Sequence, residues 1–474
     1  MHVAPLPCRQ PALPLSGGLE SHPALGVTAQ LECERCRRSS LGRRRWRRHA
    51  LASAVEADAY AIAARLRVMQ KTRVVPTRRQ GVAAASPTVA ICALQAPALG
   101  AGVYLLVLLA ASRLRGSPWP PSKARHAFLV LVPAHNEETI IGRTLASLAA
   151  LDYPPMQFEV VVVADNCDDA TAEVVRAAGT RVIQRRDPGR RGKGYAIAWA
   201  LETLAPQQDA VVIIDADCEA SANLLTEFDR GLEGGAEAMQ ASNLVADASA
   251  SSSAALRHAA FLLHNYVRPL GRERLGLSTG LGGTGMCFAT SLLRRCPWRA
   301  FSFAEDREYH VVLVEAGARV RFIADGEVRS PMTVSGAQSR SQAARWDSGR
   351  LRLGLKYGPR LAARGIRTRD RVAVEAAVDP LLPPQSLLLG MNLAGALLAL
   401  TSRRRPPVAI AVASLAAQSS FVVGGLLAVG ATAEAWRGLL HAPAFLMGRL
   451  ATFAQLASGR GPTEWSKTDR AGAG

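Results

Sequence analysis

Asp215 and Asp217 close an apolar run, Val211–Ile214. Two carboxylates one residue apart at a strand end can approach one divalent ion. Mg²⁺ or Mn²⁺ is typically held by one or two carboxylates together with substrate phosphates. An isolated Asp-x-Asp is often a solvated turn; the buried strand before it favours the metal reading. Gly192-Lys193-Gly194 precedes a helical stretch, and a lysine beside freed backbone amides suits a phosphate or a polarised carbonyl. Glu305 and Asp306 open the helical stretch Glu305–Val314. A carboxylate there serves as a cap or first-turn charge, or as a general base if it faces the same cleft as the aspartate pair. Gln342 and Arg345 share a helix face, with Trp346 four residues after Gln342. An indole there suits stacking on a sugar ring or seating at a lipid interface.

Other patterns fail their context. Gly280, Gly282 and Gly285 satisfy GxGxxG with Glu305 downstream, but no strand precedes them and Met286–Ala289 continues as a strand, not a helix. Gly276, Ser278 and Gly280 satisfy GxSxG without the strand and helix that a nucleophile elbow needs. The glycines are expected instead to let backbone approach a ligand closely. Asp187 stands where a P-loop would need its first glycine, and Gly194 follows the lysine, which excludes that ATPase class.

The elements that must position these groups alternate. Ala127–Val132 reads as a strand, Ile140–Leu151 as a helix, Phe158–Val163 as a buried strand and Thr171–Ala178 as a helix. Arg181–Gln184 is extended, Tyr195–Leu204 helical and Ala210–Ile214 a buried strand. This order predicts an α/β domain with a parallel sheet covered on both faces, whose ligands bind at the carboxyl ends of the strands. His135-Asn136-Glu137, Asp165 and Asp215-Ala216-Asp217 all fall at such ends.

At 474 residues the chain has material for two or three domains, and its mean hydropathy of +0.09 suggests membrane-buried segments. Val89–Ser112, Pro380–Ser402 and Pro406–Ala433 carry no charged residue. The first reaches about 35 Å as a helix, more than the ~30 Å hydrocarbon core. Ala435–Ala457 is apolar but carries Arg437, His441 and Arg449, as a helix lying in the interface would. The expected organisation is a basic extension over 1–85, a first span, a domain over 120–375, two further spans over 380–433, and an interfacial helix and tail over 434–474. Arg345, Arg350, Arg352, Lys356, Arg360, Arg364, Arg367, Arg369 and Arg371 precede the second span and argue that the domain is cytoplasmic. Arg403–Arg405 argue the reverse with fewer charges.

The net charge is +19, and residues 1–80 hold fifteen Lys/Arg against five Asp/Glu. With no aromatic interleaving or DNA-binding motif, this arm reads as solvated or lipid-facing, with no nucleic-acid partner. The cysteines form no disulfide ladder, and the pair Cys33 and Cys36 lacks the second pair of a zinc ribbon.

Taken together, residues of about 125–470 resemble family 2 glycosyltransferases, the membrane-bound inverting enzymes that include cellulose, chitin and hyaluronan synthases. The resemblance rests on motifs in the family's order: Pro133-Ala134-His135-Asn136-Glu137, Ala164-Asp165-Asn166, Gly192-Lys193-Gly194, Asp215-Ala216-Asp217, Ala304-Glu305-Asp306, Gln342-Ala343-Ala344-Arg345-Trp346 and Trp465-Ser466-Lys467-Thr468-Asp469-Arg470. It implies a GT-A fold and a nucleotide-sugar donor, UDP-linked. Pro133, Asn136, Glu137, Asp165, Lys193 and Asp215 would line the donor site, with Asp165 against the uracil. Asp215 and Asp217 would hold Mg²⁺ or Mn²⁺. Asp306 would be the base, with Glu305 pointing elsewhere, and Gln342, Arg345 and Trp346 would close over donor and acceptor. The acceptor would be a growing polysaccharide, with a membrane lipid or lipid carrier as the alternative acceptor. A regulator that binds the nucleotide without catalysis is the other alternative. Three spans could line only part of a channel, which a homo-oligomer or an export partner would complete.

Overall fold

The computed structural model describes residues 86–331, 336–443 and 445–446, and of 336–348 only the backbone course. The Trp465–Arg470 motif, Cys33, Cys36 and the basic extension lie outside the described residues. The elements run α1 (Pro87–Ser112), β1 (Phe128–Ala134), α2 (Ile141–Ala149), β2 (Phe158–Asp165), α3 (Thr171–Ala177), β3 (Arg181–Arg185), α4 (Lys193–Leu204), β4 (Ala210–Ile213), β5 (Glu219–Ala220), α5 (Leu224–Glu233), β6 (Ala238–Val245) and α6 (Ser252–Phe261). A π-helical turn, Leu262–Val267, leads into α7 (Arg268–Arg274). There follow β7 (Met286–Ala289), α8 (Thr290–Arg295), α9 (Glu305–Glu315), β8 (Val320–Ser330), α10 (Gly336–Thr368), α11 (Arg371–Val378), α12 (Gln385–Ser402), α13 (Arg405–Ala428) and α14 (Ala433–Gly438).

The strands form one sheet in the order β3-β2-β1-β4-β7-β6-β8-β5. β3, β2, β1 and β4 pair in parallel, as the alternation predicts. These four strands are the parallel core expected of the α/β fold, and beyond β4 the sheet is mixed. β7 runs antiparallel to both β4 and β6, β6 pairs in parallel with β8, and β5 runs antiparallel to β8.

Alternate residues of β1 feed two cores. Phe128, Val130 and Val132 pack with Ile141, Leu145 and Leu148 of α2 on one face. Leu129 and Leu131 pack with Ile197 of α4 and with Tyr309 and Leu313 of α9 on the other. Both faces of the strand are therefore apolar, and a strand so covered reads as a continuous hydrophobic run. Truncating one of these leucines to alanine costs about 2–5 kcal/mol.

Three helices, α1, α12 and α13, are long and apolar enough to cross a membrane among the described residues. The second begins at Gln385 rather than Pro380, because Pro383 and Pro384 disfavour helix before them. Gly430, in the left-handed region at φ 59°, stands just beyond the end of the third. Of the helix expected over Ala435–Ala457, the described part is α14, the 3₁₀ turn Leu439–His441 and the helical residues 442–443 and 445–446. It packs on α6, and a Cβ on Gly438 would meet the backbone nitrogen of Leu256 at 2.5 Å.

Candidate active site

At the carboxyl end of β4, the Asp215 amide donates to Thr284 Oγ1 at 3.1 Å. Ligand atoms of Asp215, Asp217 and Cys218 all lie within 4.8 Å of one another. The Cys218 thiol is buried beside Ser330 Oγ (3.2 Å) and Asp217 Oδ1 (3.3 Å). Burial first, then the carboxylates of Asp217 and Asp215, pushes its pKa well above the ordinary thiol value. A protonated thiol is a poor ligand, so the donors on offer are two hard carboxylates. That set fits Mg²⁺ or Mn²⁺.

Lys193 begins α4. Its Nζ donates to the Gly283 carbonyl at 2.6 Å, hydrogen-bonds Asp215 Oδ1 and lies 3.9 Å from Glu305 Oε1. Burial alone would lower its pKa; the carboxylates of Asp215 and Glu305 more than offset this and hold it raised. The flanking glycines have separate reasons. Gly192 takes φ 124°, which L side chains rarely adopt. A Cβ on Gly194 would sit 2.2 Å from the Ala300 carbonyl oxygen, so only glycine lets α4 approach that backbone.

Glu305 and Asp306 form the first turn of α9. The expectation that Glu305 points elsewhere is corrected: its side chain is only 14% exposed and approaches Lys193. Successive residues on a helix diverge by about 100°, but the cleft wraps the end of α9, so both carboxylates meet it. Burial pushes the Glu305 pKa up to about 8, opposed by Lys193 and helped by Asp306. Burial likewise raises Asp306 above the ordinary carboxylate range, while Arg307 pulls the other way.

A second group sits at the ends of β1 and β2. Pro133 pairs with Val163 of β2 and lies beyond Leu131, the last residue of β1 paired with β4, where a missing N–H is tolerated. Asn136 and Asn166 take φ 56° and 51°, left-handed conformations that asparagine accepts better than most residues. Asn136 Oδ1 accepts from the Asp168 amide (2.8 Å), and the Glu137 amide donates to Thr171 Oγ1 (2.8 Å). Asp165 Oδ1 accepts from Arg185 (2.6 Å) and from Asn166 (2.9 Å), a buried ion pair. Arg185 also binds Asp187 at 3.0 Å.

The structure thus brings Lys193, Asp215, Asp217 and Asp306 to one cleft and sets Pro133, Asn136, Glu137 and Asp165 along the same edge of the sheet. The side chains of Gln342, Arg345 and Trp346 lie outside the described residues. The sequence reading missed Glu305 as a cleft residue, and also Gln240, Thr284 and Arg185. Gln240 Nε2 donates to the Thr284 carbonyl and its Oε1 accepts from the Gly282 amide, both at 2.8 Å, so it fixes the glycine loop behind Lys193. The glycine run was the available signal for that loop. Ser278, by contrast, is buried with its Oγ 2.8 Å from His310 Nε2, a structural pair rather than an exposed nucleophile.

Residues 125–349 match the family described as "Glycosyltransferase like family 2". Those residues therefore resemble a glycosyltransferase family 2 domain, and the α/β sheet is of the GT-A type. The chain is similar to "Probable glycosyltransferase YdaM" of Bacillus subtilis, 35% identical over 94 residues, 19% of this chain and 22% of that protein. It is similar to "Beta-monoglucosyldiacylglycerol synthase" of Trichormus variabilis, 29% identical over 101 residues, 20% of this chain and 21% of that protein. The matches span about a fifth of the length of these relatives. Among solved structures, the mannosyltransferase PcManGT from Pyrobaculum calidifontis, in complex with GDP-Man and Mn²⁺, aligns with TM-score 0.45 and 20% identity, over 71% of this chain and 99% of that one.

Proposed function

We propose that this protein is a membrane-bound inverting glycosyltransferase that moves a sugar from a nucleotide-sugar, read as UDP-linked, to an acceptor hydroxyl at the membrane face. One observation carries this reading: Lys193, Asp215, Asp217 and Asp306 converge on one cleft of a family 2-like domain. Asp215 and Asp217 would hold Mg²⁺ or Mn²⁺, which supplies Lewis-acid neutralisation of the leaving diphosphate when bound. The residues at the ends of β1 and β2 would hold the nucleoside, with Asp165 kept in place by Arg185. Lys193 would answer phosphate charge beside Asp215. Asp306, its carboxylate made more basic by burial, would take the proton of the acceptor hydroxyl as that oxygen attacks the anomeric carbon.

We take the acceptor as lipid-borne. Three helices suited to a bilayer belong to the same chain, and one relative is named for a glucosyldiacylglycerol product. The cations between Arg350 and Arg371 favour a cytoplasmic domain. Extension of a polysaccharide is the second reading; it rests on the Gln342, Arg345 and Trp346 motif. Product mass tests the choice. Membranes incubated with donor should yield a lipid carrying one sugar, whereas a ladder of saccharides would move the polymer reading to first place.

A further inference from the structure

Beside Asp306, a second cavity opens between β6, the π-helical turn, α7 and the glycine loop. Gln240, His264, Asn265, Arg272, Thr279 and Arg307 line it. His264 Nδ1 is 2.8 Å from Arg268 Nη1, and its Nε2 is 3.5 Å from Arg307 Nη2. A guanidinium has donors only. His264 Nδ1 must therefore accept from Arg268, and in the neutral ring Nε2 must carry the proton. That N–H then faces the N–H of Arg307, two donors with no acceptor between them. Burial, with Arg268, Arg307 and Arg350 nearby, holds the ring well below its ordinary pKa, so the neutral form is the one present.

The charges point the same way. Asp379 Oδ1 binds Arg268 at 2.7 Å and Arg272 as well, and Oδ2 lies 3.4 Å from Arg307. Glu375 adds a second partner to Arg272 at 2.7 Å. Three guanidiniums thus share two carboxylates, with Arg350 adding a further cation toward His264. Thr279 Oγ1 is buried with no hydrogen-bond partner among the described residues. The opposite face of the turn, Leu262, Leu263 and Val267, packs with Leu105 of α1 and Phe421 of α13. One wall of the cavity therefore rests on two of the helices suited to a bilayer.

We propose that this cavity seats a phosphate oxyanion of the acceptor, with His264 Nε2–H and Arg307 donating to it. This deepens the transfer reading above and rests on it. Only binding is involved: the phosphate anchors the acceptor, and the reacting hydroxyl lies toward Asp306.

The test uses the full chain in detergent, with the donor site saturated by UDP and Mn²⁺. Calorimetry compares decyl phosphate, decanol and inorganic phosphate. Decyl phosphate should bind at least about tenfold tighter than decanol, the scale of charge-assisted hydrogen bonds. His264→Leu should lose that preference, and His264→Gln, whose amide supplies an N–H, should keep most of it. Inorganic phosphate that displaces decyl phosphate supports the oxyanion seat with free phosphate as a sufficient source; failure to displace it supports a lipid-borne phosphate. Equal binding of decyl phosphate and decanol, or a preference intact in His264→Leu, overturns the proposal. UDP binding in the same samples separates the two claims. If wild type binds UDP but shows no phosphate preference, only the phosphate seat falls; if it binds no UDP, the transfer reading itself falls.

Discussion

Lys193 Nζ and Asp306 Oδ2 each lie 3.7 Å from the point where a side chain on Gly283 would begin. The cation from α4 and the carboxylate from α9 therefore flank one bare stretch of backbone. The absent side chain leaves the cleft open between Lys193, proposed to meet phosphate, and Asp306, proposed to accept the proton.

Asp306→Asn should leave nucleotide binding within about twofold while transfer falls by roughly 10²–10⁴, the usual cost of losing a general base. Calorimetry with UDP beside a turnover assay separates these effects. Joint loss of both would make Asp306 a donor-site residue.

Asp217→Asn removes one hard anionic donor from the cation site. Mn²⁺ should then stimulate nucleotide binding weakly or not at all, and a chelator should bring wild type to the same low level. A variant with wild-type Mn²⁺ response would place the ion elsewhere.

Gly194→Ala places a methyl against the Ala300 carbonyl. The start of α4 must shift, costing about 1–3 kcal/mol in the manner of overpacked cores and moving Lys193 off Asp215. Thermal unfolding and UDP affinity should both fall. Unchanged unfolding would mean that α4 and the backbone at Ala300 are not in contact.

Glu305 titrates near pH 8 in the fold, against an ordinary value of 4.5. Between those pH values the folded state binds more protons than the unfolded state, so stability falls as pH rises through that window. Glu305→Gln should flatten the slope of unfolding midpoint against pH from about 5 to 8. An identical slope in the variant would show that Glu305 titrates normally.

The first half of the domain is legible because β1, β2 and β4 are short runs of mostly apolar or β-branched residues, and a helix follows each of β1, β2 and β3. Phe158–Val163 and Ala210–Ile214 need no distant partner to be recognised. β6 and β8 carry Gln240, Ser242, Asn243, Arg321 and Glu327 among their apolar residues, and their pairing joins distant parts of the chain with a register shift at Ala241/Ser242. Nothing local announces that partner. The site follows the same division. Asp215 and Asp217 announce themselves at a strand end, whereas the turn of Glu305 into the cleft depends on where α9 docks. The pairing of Asp165 with Arg185 follows from the adjacency of β2 and β3, which motif spacing does not express.

The most direct measurement is nucleotide release from a panel of UDP-sugars by the purified full chain in lipid nanodiscs, with and without Mn²⁺, for wild type and Asp306→Asn. The account predicts Mn²⁺-dependent UDP release from one or a few sugars by wild type, reduced roughly 10²-fold or more in the variant. Release that ignores Mn²⁺, equal release by the variant, or no release from any sugar in protein that binds UDP would contradict it.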